Sequence, residues 1–437
     1  MIKEISSYAS FLDALRTIPG ITNSFISYEY YQVLCNRLKN YEGKFICFEF
    51  ERDGQIIGLF PLIRTRLHYV QLGYRYSNYL GYICPKEEVG SFDSELKVFI
   101  KNNHPGAVIV YYDINDSDDM FKILETVEIA VKIPLYNCPY CSLGIPFDDL
   151  FKRQITKSKK RTEIKKFGRK LEEIGTVEVI NIDNETSWNR YHGLFSEIFI
   201  VHQKRFHDTY IPDNLCLYKN QEYYTALFEN LVKVNRALIS IMTLDGHVIS
   251  FVYTLVSDGV IQDWMPAFNP TFSKYNLGTV HLMKLLEFAT SNGYRVFDFS
   301  KGDGVYKDRW SDGLTKNYMF VRNFDSSLRS ITIKNVIVKM FATKTWMRRK
   351  GYLGKIKHLI AWSRHKDTKE KDNIARVYYT DNTDAYDWIL FSYDSILQFS
   401  DHIQELLLES YYTNRFSKYY VDNNNVYIYK EEEEDNQ

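Results

Sequence analysis

The apolar positions of this chain change period along its length. Over Tyr8–Leu15 and again over Glu29–Leu38 they recur every three or four residues, which places them on one face and predicts two helices. From Lys44 to Phe50 the period drops to two. Arg52-Asp53-Gly54-Gln55 interrupts that alternation, and Ile56–Arg64 resumes it. An Asp-Gly pair between two such runs predicts a hairpin, because these residues accept the positive φ that a tight turn needs. After the breaker Asn102-Asn103-His104-Pro105-Gly106, the Lys101–Tyr112 stretch predicts another strand. Residues 134–148, punctuated by Pro134, Pro139, Gly144 and Pro146, read as a connector.

A second cycle comes next. Asp149 to Ile174 predicts one basic amphipathic helix, with Phe151, Ile155, Ile164, Phe167 and Leu171 as its buried stripe. Acidic Asp148 and Asp149 at its start and Gly175 at its end suit the polarity of a helix. Then come strand Ala237–Leu244, turn Asp245-Gly246, strand Ile249–Val256, strand Val260–Pro266, helix Gly278–Asn292 and strand Arg295–Phe299. The first third also sets an Asp-Gly hairpin after two helices, so the chain repeats an architecture without repeating residues. Beyond it lie a basic amphipathic stretch, Ile331–Trp362, a polar linker and a small α+β piece. The acidic Glu431–Asp435 tail carries too little apolar surface to order itself.

This pattern predicts an α/β (α+β) fold with two units, 1–148 and 149–325. A helical segment at 326–372, a small piece at 373–430 and a tail at 431–437 come after them. A chain of 437 residues exceeds one ordinary core, in agreement with that division. Lys+Arg and Asp+Glu are equal at 55 each, which excludes a protein basic over its whole surface for nucleic acid. The Met1–Ser10 stretch carries Lys3 and Glu4 and no apolar core of a signal peptide, and no run approaches the ~18 apolar residues of a membrane span. The expected location is the cytosol, with the six cysteines reduced.

The densest chemistry lies between Asp263 and Trp310. A loop ending in Asn276-Leu277-Gly278-Thr279 opens a helix whose first N–H groups have no partner in the helix itself. Such an end attracts phosphate, and glycine lets a ligand approach the backbone. Asp263 and Asp298, at strand ends, are placed to reach a bound substrate.

The combination resembles the acetyltransferase-like domain family typified by bacterial CelD-type proteins of cellulose biosynthesis, a GNAT-fold branch close to the Fem peptidyltransferases. Its matches are Tyr275 to Gly278, Leu282 to Gly293, Asp298-Phe299, Gly302, Tyr306-Lys307 and Trp310, with Leu277 where the family has proline. The basic helix, His202 with Arg205, and Gly58-Leu59-Phe60-Pro61-Leu62 extend the likeness over residues 1 to 325. The resemblance implies two tandem GNAT-like mixed-sheet domains, the second catalytic, plus a small C-terminal α+β extension. It implies acyl-CoA, such as acetyl-CoA, as co-substrate, its pyrophosphate on the amides of Asn276, Leu277, Gly278 and Thr279. The strand near Trp264–Ala267 would line the pantetheine arm.

An acceptor amine must lose a proton before it attacks, and His202, Asp263 and Asp298 are the candidate bases. Arg205, Trp264, Tyr306, Lys307 and Trp310 are candidate substrate contacts, although Tyr306 and Trp310 also suit core packing and Asp298 suits a turn. No metal is expected. The implied activity is N-acylation of an amine, with an amino sugar or sugar nucleotide of cell-surface polysaccharide synthesis as acceptor. The alternatives are a Fem-like transferase with an aminoacyl-tRNA donor, for which the basic helix would hold phosphates, and a non-catalytic scaffold. The 331–362 stretch suits either an anionic membrane surface at the inner face or packing on the second unit. Cys138-Pro139-Tyr140-Cys141 has redox spacing, but Ser142-Leu143-Gly144-Ile145-Pro146 after it cannot form a helix, so no redox role is expected.

Overall fold

The computed structural model describes residues 1–127, 130–206, 218–302, 304–350, 376–380, 389–390, 418–422 and 425–429. The first half runs β1 (Ile2–Ile5), α1 (Tyr8–Thr17), α2 (Tyr28–Arg37), β2 (Phe45–Arg52), β3 (Gln55–Arg64), β4 (Tyr69–Gln71), α3 (Val89–Asn103), β5 (Val108–Asn115), α4 (Asp119–Thr126) and β6 (Ala130–Ser142). Two linking helices come next, α5 (Phe147–Gln154) and α6 (Ser158–Glu172). The second half runs β7 (Val177–Ile182), α7 (Glu185–Tyr191), α8 (Phe195–Phe206), α9 (Tyr218–Lys233), β8 (Ala237–Leu244), β9 (His247–Ser257), β10 (Val260–Phe268), α10 (Leu277–Ser291), β11 (Val296–Asp298), α11 (Val305–Trp310) and β12 (Gly313–Asn323). A long helix, α12 (Leu328–Arg349), leads to a separate sheet of β13 (Arg376–Thr380), β14 (Ile389–Leu390), β15 (Lys418–Asp422) and β16 (Asn425–Tyr429).

The expected α/β class with two mixed-sheet units in tandem is present. The first twelve strands form one sheet in the order β1-β2-β3-β4-β5-β12-β6-β11-β10-β9-β8-β7. Each half contributes an antiparallel run closed by one parallel pair, β4 with β5 and β10 with β11. The Asp-Gly hairpins form as expected, with Asp53 and Gly54, and Asp245 and Gly246, all at positive φ. A third, Asp258-Gly259, joins β9 to β10.

The last strand of each half crosses to the other. β12 pairs with β5, and β6 pairs with β11, so the two halves meet along a ten-pair β6–β12 ladder. The connector expected at 134–148 is thus, up to Ser142, a central strand. Its apolar residues Ile133, Leu135, Cys138 and Cys141 are buried. Pro134 is tolerated because the β12 register shifts beside it, which removes the regular ladder that proline disrupts.

Two further expectations change. The single basic helix is two, broken at residues 155–157, where the Arg161 guanidinium donates to the Ile155 and Thr156 carbonyls. Lys101–Asn103 close α3 rather than open a strand, because α3 carries a buried face of Val89, Phe92, Leu96 and Ile100. The α12 helix packs on β12, β6 and β5, with Ile337 buried, and 351–362 lie outside the described residues. No helix among the described residues is long and apolar enough to cross a membrane.

A buried ion pair ties the exchanged β12 into the first half. Arg322, 1% exposed, donates to Asp93 of α3 at 2.6 Å, and the Tyr82 hydroxyl donates to the same carboxylate at 2.7 Å. The matching tie for β6 is nearer the surface, where Asp312 accepts from Arg153 at 2.5 Å and from the Ser142 N–H at 3.0 Å.

Candidate functional site

The site begins where two strands part. β10 pairs with β11 only through Val260, Ile261 and Gln262, and then continues alone to Phe268. Against β9, the register slips between Asp263 and Met265, leaving Trp264 as the extra residue of a bulge. Bulges bend a strand and re-aim its side chains. Asp263 is therefore the first residue of β10 beyond the cover of β11. Pro266 stands on the strand where this side has no partner, which suits a residue that cannot donate.

The gap is continued by α10. Asn276 precedes it at φ 50, a left-handed conformation that asparagine tolerates, and its side chain accepts from Thr279 Oγ1 at 2.9 Å. The amides of Thr279 and Val280 bond back to the Asn276 carbonyl, while those of Leu277 and Gly278 make no hydrogen bond. These two donors, at the positive end of a fifteen-residue helix with no acid in its first turn, are a ready anion site. A Cβ at Gly278 would sit 3.3 Å from the Phe268 ring, so a larger residue here presses on the cavity wall.

Between them lies a cavity of about 330 Å³. Seven of the twelve residues singled out from the sequence line it: Arg205, Asp263, Asn276, Leu277, Gly278, Thr279 and Tyr306. Arg205 lies over the Phe268 ring at 5.0 Å. Asp263 is buried, its Oδ1 has no hydrogen-bond partner, and burial raises its carboxyl pKa to about 7, against the opposing pull of the Lys307 ammonium. The Tyr306 phenol lies near this carboxylate, and burial together with the Asp263 charge holds the phenol well above its ordinary value.

The other five lie off the cavity. Asp298 accepts the Ser300 N–H at 2.8 Å and so fixes the turn after β11; burial raises its carboxyl. Lys307 does not point at a ligand. Its ammonium donates to the carbonyls of Phe299 at 2.6 Å and Lys301 at 3.1 Å, holding the turn in which Ser300 sits at φ 54. Trp310 is fully buried and stacks on Phe151, which gives it a packing role rather than a substrate face. Trp264 packs among Phe25, Tyr30, Tyr224 and Phe228 and does not line the cavity. His202 is buried on α8, its ring 4.5 Å from Phe206 and 6.3 Å from Phe251, both of which line the cavity.

One lining residue escaped the sequence reading. His281 of α10 is 1% exposed and bridges Ser250 Oγ at 2.8 Å and Ser240 Oγ at 3.0 Å. Burial lowers its pKa to about 3, so it is neutral and serves as a rigid tie between α10 and β8–β9. On an apolar helix face it gave no signal distinct from a core histidine.

The discounted cysteines lie in the stretch read as a connector, which is β6. Cys138 and Cys141 lie on a strand, buried, with thiols pushed up to about 12 and about 11 by that burial. No group of three or more metal-ligating side chains occurs among the described residues. On α6, Ile164 and Leu171 face inward, and Lys159, Lys166, Arg169 and Lys170 are exposed on the remaining face.

Comparison with known families and structures gives this geometry a context. Residues 158–308 match the family model described as Acetyltransferase (GNAT) domain. A search of curated proteins found no match. Among solved structures, the chain is similar to the C-terminal domain of a putative lysylphosphatidylglycerol synthetase from Agrobacterium fabrum, at 10% identity and TM-score 0.49, covering 76% of this chain and 97% of that one. It is also similar to L-PGS from Bacillus licheniformis, at 12% identity and TM-score 0.44 over 70% and 96% of the two chains. FemX is similar at 11% identity and TM-score 0.47 over 73% and 96%. Residues 158–308, from α6 through most of α11, are thus the part of the chain that is similar to a GNAT acetyltransferase domain.

Proposed function

We propose that this chain, whose residues 158–308 carry a GNAT acetyltransferase domain, is an acyl-CoA-dependent N-acyltransferase with an amino sugar as acceptor. The observation that carries the reading is a single cavity holding both an anion-binding helix end and a carboxyl poised near neutrality. The pyrophosphate of acyl-CoA fits the unbonded amides of Leu277 and Gly278. The acyl arm then runs along the free side of β10, and unpaired backbone N–H groups there can face the thioester oxygen.

Asp263 is the proposed general base. A pKa near 7 leaves it ionised often enough to accept a proton and basic enough to take one from an ammonium. The freed amine attacks the thioester carbon, and a carbon–nitrogen bond forms as the carbon–sulfur bond breaks. The departing sulfur receives a proton from Tyr306, which regains one from the adjacent Asp263; the carboxylate so freed takes the second proton that the attacking nitrogen loses and passes it to solvent. The products are the amide and free coenzyme A thiol. Arg205 over Phe268 guards the cavity mouth and offers charge to the coenzyme. His202 packs behind this wall, and Asp298 and Lys307 position the turn that carries Tyr306.

The test is calorimetric titration with acetyl-CoA, followed by thiol release on adding an amino-sugar nucleotide. Micromolar binding and acceptor-dependent thiol release are expected. No binding of any acyl-CoA would falsify the donor assignment. An aminoacyl-tRNA donor would instead make the exposed Lys159, Lys166 and Lys170 essential, so activity that survives their reversal to Glu removes that alternative. Peripheral membrane contact would use α12, where Val336, Met340 and Trp346 are exposed near Lys339 and Lys344. Co-sedimentation with anionic but not neutral vesicles tests it.

A further inference from the structure

The strand break of the second half has a counterpart in the first, and it has grown. In the second half, β10 breaks by one residue and resumes along β9. In the first half, β4 stops at Gln71 and pairing with β3 resumes only at Ile83, opposite Leu59. The eleven residues between, Leu72 to Tyr82, form an excursion that reaches the other half through Tyr76, which meets Tyr223.

The excursion is built rather than loose. Gly73, at φ 89, has no room for a Cβ beside Ser77 Oγ and Leu34. Tyr30 donates to the Tyr76 carbonyl at 2.7 Å, and Asn23 donates to the Tyr79 carbonyl at 2.9 Å. Its side chains then continue a chain of rings: Tyr76 to Tyr223 at 5.7 Å, Tyr223 to Tyr224 at 5.0 Å, and Tyr224 to Trp264 at 5.8 Å. Trp264 is the bulged residue next to Asp263. Tyr76, Tyr224 and Trp264 are half-buried, so each keeps part of its ring at the surface.

Fixed polar groups stand where β5, β12 and the turn after β11 come together. Asp113, fully buried at φ 56, holds Lys301 at 3.1 Å, and the Lys301 side chain remains 35% exposed. Asn317 and Asn115 bond to each other at 2.7 Å beside it. Around the same seam, Gln71 Nε2, Asn78 Oδ1, Tyr223 Oη and Ser300 Oγ are buried without a hydrogen-bond partner. Buried polar atoms are nearly always satisfied, so several unsatisfied ones in one place point to a missing partner with many hydroxyls.

We infer that this seam is the acceptor site, and that it takes the pyranose ring of an amino sugar. The apolar face of the ring lies on Tyr76, Tyr224 and Trp264, and its hydroxyls meet Lys301 and the orphaned polar atoms. The amine is thereby carried past the bulge to Asp263. This rests on the acyltransferase reading for its chemistry, but binding alone tests it.

The experiment is a titration of the full chain with glucosamine and UDP-glucosamine, with butylamine as control, followed by tryptophan fluorescence. Saturable quenching by a sugar probe is expected. Trp264→Phe should abolish the quenching signal while calorimetry still detects sugar binding. Tyr76→Ala and Tyr224→Ala should each weaken sugar binding at least tenfold, with acetyl-CoA affinity unchanged, and Tyr76→Phe should restore it. In turnover the same alanine variants should raise KM for the sugar by a larger factor than KM for butylamine. No saturable binding of either sugar, or binding undiminished in both alanine variants, overturns the inference. Sugar binding without acetyl-CoA binding upholds the inference and removes the donor reading instead.

Discussion

In the second half, α10 opens at Leu277-Gly278 with two unbonded amides and no acid in its first turn. In the first half, the corresponding α3 opens at Val89-Gly90, directly after Lys86-Glu87-Glu88. Acids beside a helix N-terminus stabilise the helix and repel a phosphate. The strands beneath differ in the same sense. Gly58 of β3 and Ser250 of β9 both stand next to a register shift. The space over Gly58 is filled by Phe92 and Cys84, at 3.0 and 3.2 Å from where a Cβ would be, whereas Ser250 lines the cavity and anchors His281. The two halves keep one scaffold. A cavity is present where the helix start is uncharged and the adjoining strand is left uncovered.

The largest expected effect tests what only the second half has. Asp263→Asn should lower kcat by roughly 10²–10⁴-fold, the usual share of a general base, with acetyl-CoA affinity unchanged. An activity loss under tenfold would move the base elsewhere, with His202 the next candidate. The same substitution should stabilise the fold at pH 8. A carboxyl with its pKa raised to about 7 binds more protons folded than unfolded between roughly pH 4 and 7, so stability falls as pH rises through that window. Removing the charge should recover on the order of 4 kcal/mol at pH 8, measured by denaturant unfolding, and little at pH 4. In the wild type, kcat/KM should climb with pH through a limb near 7 that is absent from the variant's residual rate.

The two strand ties are predicted to differ next. Arg322→Ala leaves Asp93 buried and unpaired and should cost about 3–5 kcal/mol. Arg153→Ala removes a partly exposed pair and should cost under about 1 kcal/mol. Equal costs in urea unfolding would mean the two exchanges are held alike. A smaller change carries the first half's charge into the second: Asn276→Asp should weaken acetyl-CoA binding roughly tenfold by placing a carboxylate beside the phosphate site. It should leave Tm within a few degrees, because Asp also tolerates the left-handed conformation.

How far the sequence could be read depends on the range of the forces involved. The Asp-Gly hairpins and the α10 start are local, and each was legible from a few neighbouring residues, whereas Asp263, read as a strand end, lies inside β10 at the bulge. The roles of β6 and β12 were not. Their pairing joins residues about 180 apart, and local reading sees only Pro134 and Pro139, which argue against a central strand. Lys307 illustrates the same limit. Its family-like motif identified the segment, but three backbone carbonyls, set by the turn after β11, decide where its ammonium points. Asp298 was read as either base or turn, and the Ser300 amide it accepts supports the turn.

The strand exchange also constrains how the chain can be made. As it leaves the ribosome, the first half completes β1 to β5 and then produces β6, which has no partner until β11 and β12 exist. The edge of β5 stays open until residue 313, the start of β12, has been synthesised. For most of its synthesis the first half is therefore an unfinished sheet with an exposed strand edge, the kind of surface that recruits chaperones or aggregates. Neither half is a spare part of the other. A cut at residue 148 would leave each piece lacking one strand and carrying one it cannot use. Co-expressed halves should fold only when they find each other.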